Sequence, residues 1–268
     1  MSPDADKLSG LLSLKDKASL HIRTLGAFVV SVDGETLPDK SYGREKTIQL
    51  FQYLVTARGR SVLHRDQIIN RIWEDADQDE GERNFKVALH GLNKALEPDR
   101  KARTEATYVK RQGISYFLNP DAVWIDAQAM EQLIAFANDT SVRNQDIAAE
   151  GYKAALDLYK GTYLPDRIYE DWTSEERERL QVLALNGYMS LAEFYLDKQP
   201  LETVRLAKEA LSLDPTWEDA YALIMKAYLS RGNRPAAIET YYKCLKVLDD
   251  EYGLDPLPST QAIYDGIV

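Results

Sequence analysis

The chain has 268 residues, 44% of them hydrophobic and 28% charged, which is enough for two domains that each bury a core. A single cysteine excludes an internal disulfide, and no apolar run approaches the roughly 18 residues of a membrane-spanning helix. The formal charge of −10 argues against a nucleic-acid partner only if it is taken over the whole chain. Residues 1–19 are neutral, residues 20–118 carry 16 basic and 14 acidic side chains, and residues 119–268 carry 14 basic and 26 acidic ones. Net charges of 0, +2 and −12 predict a near-neutral front domain and an acidic rear domain with different partners.

Residues 1–19 show no sustained periodicity and read as a flexible lead. They lack the basic start and unbroken apolar core of a secretory signal, and with the lone Cys244 this predicts a cytoplasmic protein. Leu20 to Val32 is rich in apolar and β-branched residues and runs into the turn Asp33-Gly34, after which Glu35-Thr36-Leu37 returns as a hairpin. Arg44-Glu45-Lys46 then leads into a helix with Ile48, Phe51, Leu54 and Val55 at helical spacing, ending at Arg58-Gly59-Arg60. Ser61-Val62-Leu63 is extended. His64-Arg65-Asp66 opens a second helix with Ile68, Ile69, Ile72 and Trp73 inward, and the acidic run from Glu74 to Glu82 follows as a loop.

Asp79 to Leu96 reads as a third helix, capped by Asp79 and stopped by Pro98. Phe85, Leu89, Leu92 and Leu96 share one narrow arc, and Arg83, Lys86, His90, Asn93 and Lys94 share the opposing arc, which carries no acidic residue. Amide and cationic side chains on one helix face can reach base edges and phosphates in a DNA major groove. Val87 on the same arc is either a contact for a thymine methyl or a lone exposed apolar residue. Gly91 either lets the backbone approach DNA closely or marks a tight helix crossing. Tyr108 to Leu118, with Gln112-Gly113 at its middle, predicts a terminal β-hairpin in which Lys110, Arg111 and Gln112 are candidates for phosphate or minor-groove contact. Arg44, Lys46 and Arg65, near helix starts, are further phosphate candidates. Strands, three helices and a hairpin in this order predict a winged helix over residues 20–118.

After a short connection, residues 119–126, the rear of the chain reads as helical. Helices are expected near residues 147–159 and 172–197, and a repeat offset of 34 pairs Phe194 with Tyr228, Leu191 with Met225, Ala207 with Tyr241 and Ala210 with Cys244. The predicted fold is mainly α with a small α+β part. An N-terminal winged helix-turn-helix with a β-hairpin wing precedes a C-terminal all-α, tetratricopeptide-like repeat domain over residues 127–268.

These residues also carry a family resemblance. Residues 22–118 resemble the OmpR/PhoB-type winged helix in the form found in Streptomyces antibiotic regulatory proteins. The matching positions are Leu25-Gly26, Asp33-Gly34, Leu63-His64-Arg65, Ile68-Ile69, Ile72-Trp73, Leu92, Leu96, Gly113 and Tyr116. Lys160-Gly161-Thr162-Tyr163-Leu164 resembles the Leu-Trp-x-Gly-x-Leu element of the bacterial transcriptional activator domain, and residues 250–256 resemble its closing Glu-Leu-Gly-x-x-Pro. The chain departs from the family where Gly91 and Asn93, in place of two arginines, flank Leu92, and where the wing reads Gly113-Ile114-Ser115-Tyr116 in place of Gly-x-Gly-Tyr.

The resemblance implies a sequence-specific transcription activator that binds direct repeats in double-stranded DNA, dimerises there and contacts RNA polymerase. It places Arg83, Asn84, Lys86, Val87, His90 and Asn93 at DNA-facing positions. The alternative reading is a tetratricopeptide-like interaction scaffold whose winged helix no longer binds DNA. Neither requires a cofactor. His21, His64 and His90 lie far apart and lack cysteine partners at zinc spacing, so no metal site is expected. The common nucleophile, nucleotide-loop and metalloprotease motifs are missing, which argues against an enzyme.

Overall fold

The computed structural model describes residues 2–58, 62–101 and 103–267. In chain order, α1 (Pro3–Leu12) and α2 (Leu14–Lys17) precede β1 (Leu20–Arg23), β2 (Val29–Val32) and β3 (Glu35–Thr36). Next come α3 (Glu45–Thr56), β4 (Leu63–His64), α4 (Arg65–Ile72) and α5 (Gln78–Leu96), then β5 (Val109–Gln112), β6 (Ser115–Leu118) and β7 (Val123–Ile125). The remainder is helical: α6 (Asp126–Ser141), α7 (Gln145–Leu156), α8 (Asp171–Tyr195), α9 (Pro200–Leu213), α10 (Glu218–Ser230), α11 (Arg234–Tyr252) and α12 (Pro258–Asp265). The expected helix end at Gly59-Arg60 and the extended Ser61 fall outside the described residues. Two compact units result, one of Gly10–Ala129 with Lys160–Arg177, the other of residues up to Ser9 with Met130–Tyr159 and Glu178 onward.

The first unit is a winged helix with a sheet in front. In strand order β3-β2-β1-β7, β1 lies antiparallel to β2 and parallel to β7. Two expectations change here. The run from Leu20 to Val32 is two strands, because the chain reverses at Gly26, whose φ of +89° suits a residue without a Cβ. Residues 123–125 of the expected linker are a buried strand, since Val123, Trp124 and Ile125 fill the free edge of β1.

Asp126, just after β7, fastens that edge. Its carboxylate accepts hydrogen bonds from the Thr24 amide and hydroxyl and from the amides of Leu25 and Ala127, at 2.7–3.0 Å. The segment after Lys160 then packs on the same unit. Gly26 N donates to Thr162 O, Leu164 N donates to Thr24 O, and the Tyr163 and Leu164 side chains are wholly buried. A Cβ at Gly26 would lie 2.7 Å from Lys160 O, so this approach of backbone to backbone requires glycine.

Helices α3, α4 and α5 close around Leu50, Phe51, Ile68, Ile72, Phe85, Leu92 and Leu96, each almost fully buried. Phe85 and Tyr116 meet edge to face with centroids 5.0 Å apart, seating the hairpin of β5 and β6 against α5. Gly81 marks the crossing of α4 and α5, where an added Cβ would lie 2.5 Å from Ile69 Cγ2. That methyl belongs to a β-branched side chain with little rotamer freedom. Gly81→Ala is therefore expected to destabilise the protein by about 1–2 kcal/mol net, overpacking outweighing the helix propensity of alanine. Urea unfolding that shows the variant equally or more stable would contradict this packing.

The second unit is all helical and repeats as expected. Leu191 and Met225, Ala207 and Tyr241, and Ala210 and Cys244 are buried at matching places in successive helix pairs. Burial pushes the Cys244 thiol up to about 12, so it stays protonated and packs as a small apolar group. The lead at residues 1–19 is not flexible throughout, because α1 and α2 form there. Leu8 is buried, Arg143 bonds Asp4 at 3.1 Å and Lys7 lies over the Phe136 ring. Its order comes from tertiary contacts that local periodicity does not report.

Candidate nucleic-acid interface

Helix α5 starts two residues earlier than its acidic sequence suggests. Asp77 is the N-cap, its carboxylate accepting from Glu80 N at 2.8 Å, and Asp79 lies within the first turn. Gly81, Phe85, Ala88, Leu92, Ala95 and Leu96 form its buried face. Leu89, expected inside, is only partly covered, because Ala88 takes the place nearest the core.

The outward stripe contains Arg83, Lys86, Val87, His90 and Lys94, all exposed. Val87 is 46% exposed amid these cations. At a rise of about 1.5 Å per residue, Arg83 to Lys94 spans roughly 16 Å, or about five steps of a duplex. Asn84 and Asn93 lie at the margins, half-buried, and the buried Asn93 Oδ1 has no hydrogen-bond partner among the described residues. Gly91 sits at a close crossing, since a Cβ there would meet Thr47 Oγ1 at 3.3 Å.

The hairpin turn is brought to the same side by two contacts. Arg65 N donates to Ile114 O at 3.0 Å, which ties the start of α4 to the turn, and Arg65 Nη2 pairs with Glu82 of α5 at 3.0 Å. Gly113 has φ +61° at the first position of a two-residue loop, where glycine is favoured, and Ile114 stands exposed beside it. Arg111 and Gln112 are exposed and Lys110 is half-buried. Arg111 Nε donates to Gly113 O at 2.6 Å, and its guanidinium lies 6.0 Å from the Tyr116 ring centre.

The remaining candidates differ in availability. Arg44 is the exposed N-cap of α3, whereas Lys46 Nζ donates to Ile72 O at 2.6 Å and spends its charge at the end of α4. Arg65 is engaged by Asp66 and Glu82, and the Asp66 hydrogen bond raises its guanidinium above the usual value. Lys86 is paired with Glu82 at 3.4 Å yet stays 68% exposed. The structure thus gathers the α5 stripe, the wing turn and Arg65, and ties the exposed Lys46 to the end of α4. Sequence reasoning missed Glu82, whose partner Arg65 lies 17 positions away on another helix. Among the described residues no cluster of histidine, cysteine and carboxylate could hold a metal ion, and no helix is long and apolar enough to cross a membrane.

The family model of the bacterial transcriptional activator domain matches residues 125–268. The chain is 22% identical over 269 aligned positions to the transcriptional regulatory protein MoaR1 of Mycobacterium tuberculosis, and equally to that of Mycobacterium bovis. Each alignment covers 97% of this chain and 83% of the relative. Among solved structures, Mycobacterium tuberculosis EmbR, in a complex with a low affinity phosphopeptide, shares the fold with a TM-score of 0.76 at 18% identity. That match covers 93% of this chain and 65% of the EmbR chain, so the chain spans less than two thirds of EmbR's length. Because the matched domain takes up more than half of the sequence, the chain belongs to the bacterial transcriptional activator domain family and is a transcriptional regulator of the Streptomyces antibiotic regulatory protein type.

Proposed function

We propose that the protein is a sequence-specific activator that lays α5 in the major groove of double-stranded DNA and rests the β5-β6 turn on the adjoining backbone. The observation that carries this reading is the exposed stripe of Arg83, Lys86, Val87, His90 and Lys94, opposite a buried apolar face and on the same side as the wing turn. Arg83, Lys86, Val87 and His90 read base edges, with Asn84 at the edge of the footprint. Arg44, Lys94, Lys110, Arg111 and Gln112 hold phosphates. The protein acts in the cytoplasm, dimerises on direct repeats and offers its acidic rear domain to RNA polymerase. Arginine side chains being few at this face, each dimer half contributes modest affinity and the pair supplies the rest.

Duplex binding measured across salt concentration tests the proposal. Replacing both Lys86 and His90 by alanine should flatten base preference at their positions, with each lost base contact costing about 1–3 kcal/mol of discrimination. Lys110→Ala with Arg111→Ala should instead weaken all sequences alike and lower the salt slope by about 0.9 per lost phosphate contact. Unchanged preference and slope in both variants would leave the scaffold reading in place.

A further inference from the structure

Glu82 does something unusual for a residue at the edge of a DNA-facing stripe. Both of its carboxylate oxygens are occupied, Oε1 by Arg65 Nη2 at 3.0 Å and Oε2 by Lys86 Nζ at 3.4 Å. Arg65 also gives its Nε to Asp66 Oδ1 at 3.0 Å. Two carboxylates therefore face two cations, Arg65 at the start of α4 beside the wing turn and Lys86 on α5. The Glu82 side chain is 27% exposed and that of Arg65 25%, so the pair is partly withdrawn from water and less screened than a free surface pair. From Phe85 to Leu96 helix α5 carries no acidic residue, which makes Glu82 the last anion before the stripe.

We infer that Glu82 is an internal stand-in for a DNA phosphate, an electrostatic brake that holds Arg65 and Lys86 in place and limits the affinity of the interface. This rests on the DNA-binding reading above. A phosphate arriving between the wing turn and α5 meets the Arg65 guanidinium already oriented, but it has to share it with a fixed negative charge. Occupied and free states thus differ little in the order of the side chains and much in their charge. The brake suits a regulator that must leave non-specific DNA, because a weaker sequence-independent attraction raises the share of affinity that comes from base contacts.

The test is fluorescence anisotropy with the full chain and a duplex from its own upstream region, at several salt concentrations. Glu82→Gln keeps the side chain's volume and an acceptor for Arg65 while removing the charge. It should bind roughly five- to tenfold tighter near 0.1 M salt, gain at least as much on unrelated sequence, and steepen the logarithmic salt slope by about one unit. Arg65→Ala should cost less than about twofold in the wild type and clearly more beside Glu82→Gln, since only there is the guanidinium available to phosphate. Thermal unfolding of each variant checks that folding is retained, and Glu82→Ala should move affinity in the same direction.

Equal or weaker binding by both Glu82 variants, with wild type binding normally, would overturn the inference. So would loss of affinity confined to duplexes with cytosine at one position, which would make Glu82 a base reader. Strictly additive effects of the Arg65 and Glu82 changes would overturn it as well. Wild type that fails to bind any duplex at low salt would instead remove the DNA-binding reading itself.

Discussion

Asp126→Asn should destabilise the protein by about 3 kcal/mol in urea unfolding, because an amide nitrogen would face N–H groups that now find an acceptor. The carboxylate is 3% exposed and takes hydrogen bonds from Thr24, Leu25 and Ala127, which fix the exit of β1 to the end of β7. Burial lifts this carboxyl above its ordinary range, against the pull of those hydrogen bonds. Only between the usual carboxylate range and the lifted value does the folded chain hold a proton that the unfolded chain has released. Wild-type stability should fall as pH rises from the usual carboxylate range through the lifted value, and Asp126→Asn should lack that decline. A loss below about 1 kcal/mol would mean that the sheet edge holds without this carboxylate.

Glu176→Ala is expected to cost about 3 kcal/mol, since it removes one partner of an ion pair buried inside the first unit. Arg58 and Glu176 pair at 2.8 Å with side chains 6% and 3% exposed, and the guanidinium lies 5.7 Å from the centre of the Tyr163 ring. Tyr163 is wholly buried, its hydroxyl pushed up to about 12 by desolvation and hydrogen-bonded with Thr56 Oγ1 at 2.8 Å. Removing the carboxylate should loosen the segment from Lys160 to Arg177 as well as lower stability. Limited proteolysis should then cut within residues 160–177 of the variant and spare the wild type. A variant as resistant and as stable as wild type would show that the buried pair contributes nothing.

Local pattern made helix α5 legible. The 3.6-residue spacing of Phe85, Leu92 and Leu96 puts one face inside and leaves Arg83, Lys86, His90 and Lys94 outside whatever surrounds the helix. Its start reads two residues late, at Asp79, because an acidic run does not show which carboxylate caps, and the hydrogen bond from Glu80 N selects Asp77. Long-range features left no local trace. β7 is three residues long and pairs with a strand about a hundred positions earlier, while Tyr163 enters the first unit from within the activator domain. Lys46 reads as a free cation until Ile72 O is seen to accept its hydrogen bond, and Arg65 until Glu82 and Asp66 are seen beside it.

The most direct measurement places a DNA-cleaving reagent on Val87→Cys, a site in the middle of the outward stripe. Cys244 is buried and its thiol raised, so the folded chain should be labelled at the new cysteine alone. The account predicts strand scission in the protein's own upstream duplex with the offset pattern of a reagent in the major groove, repeated at each half-site. The same reagent on Val142→Cys, an exposed position in the second unit, should give no focused cleavage. Equal, diffuse cutting from both positions, or none from position 87 under conditions where the duplex is bound, would contradict the placement of α5 in the groove.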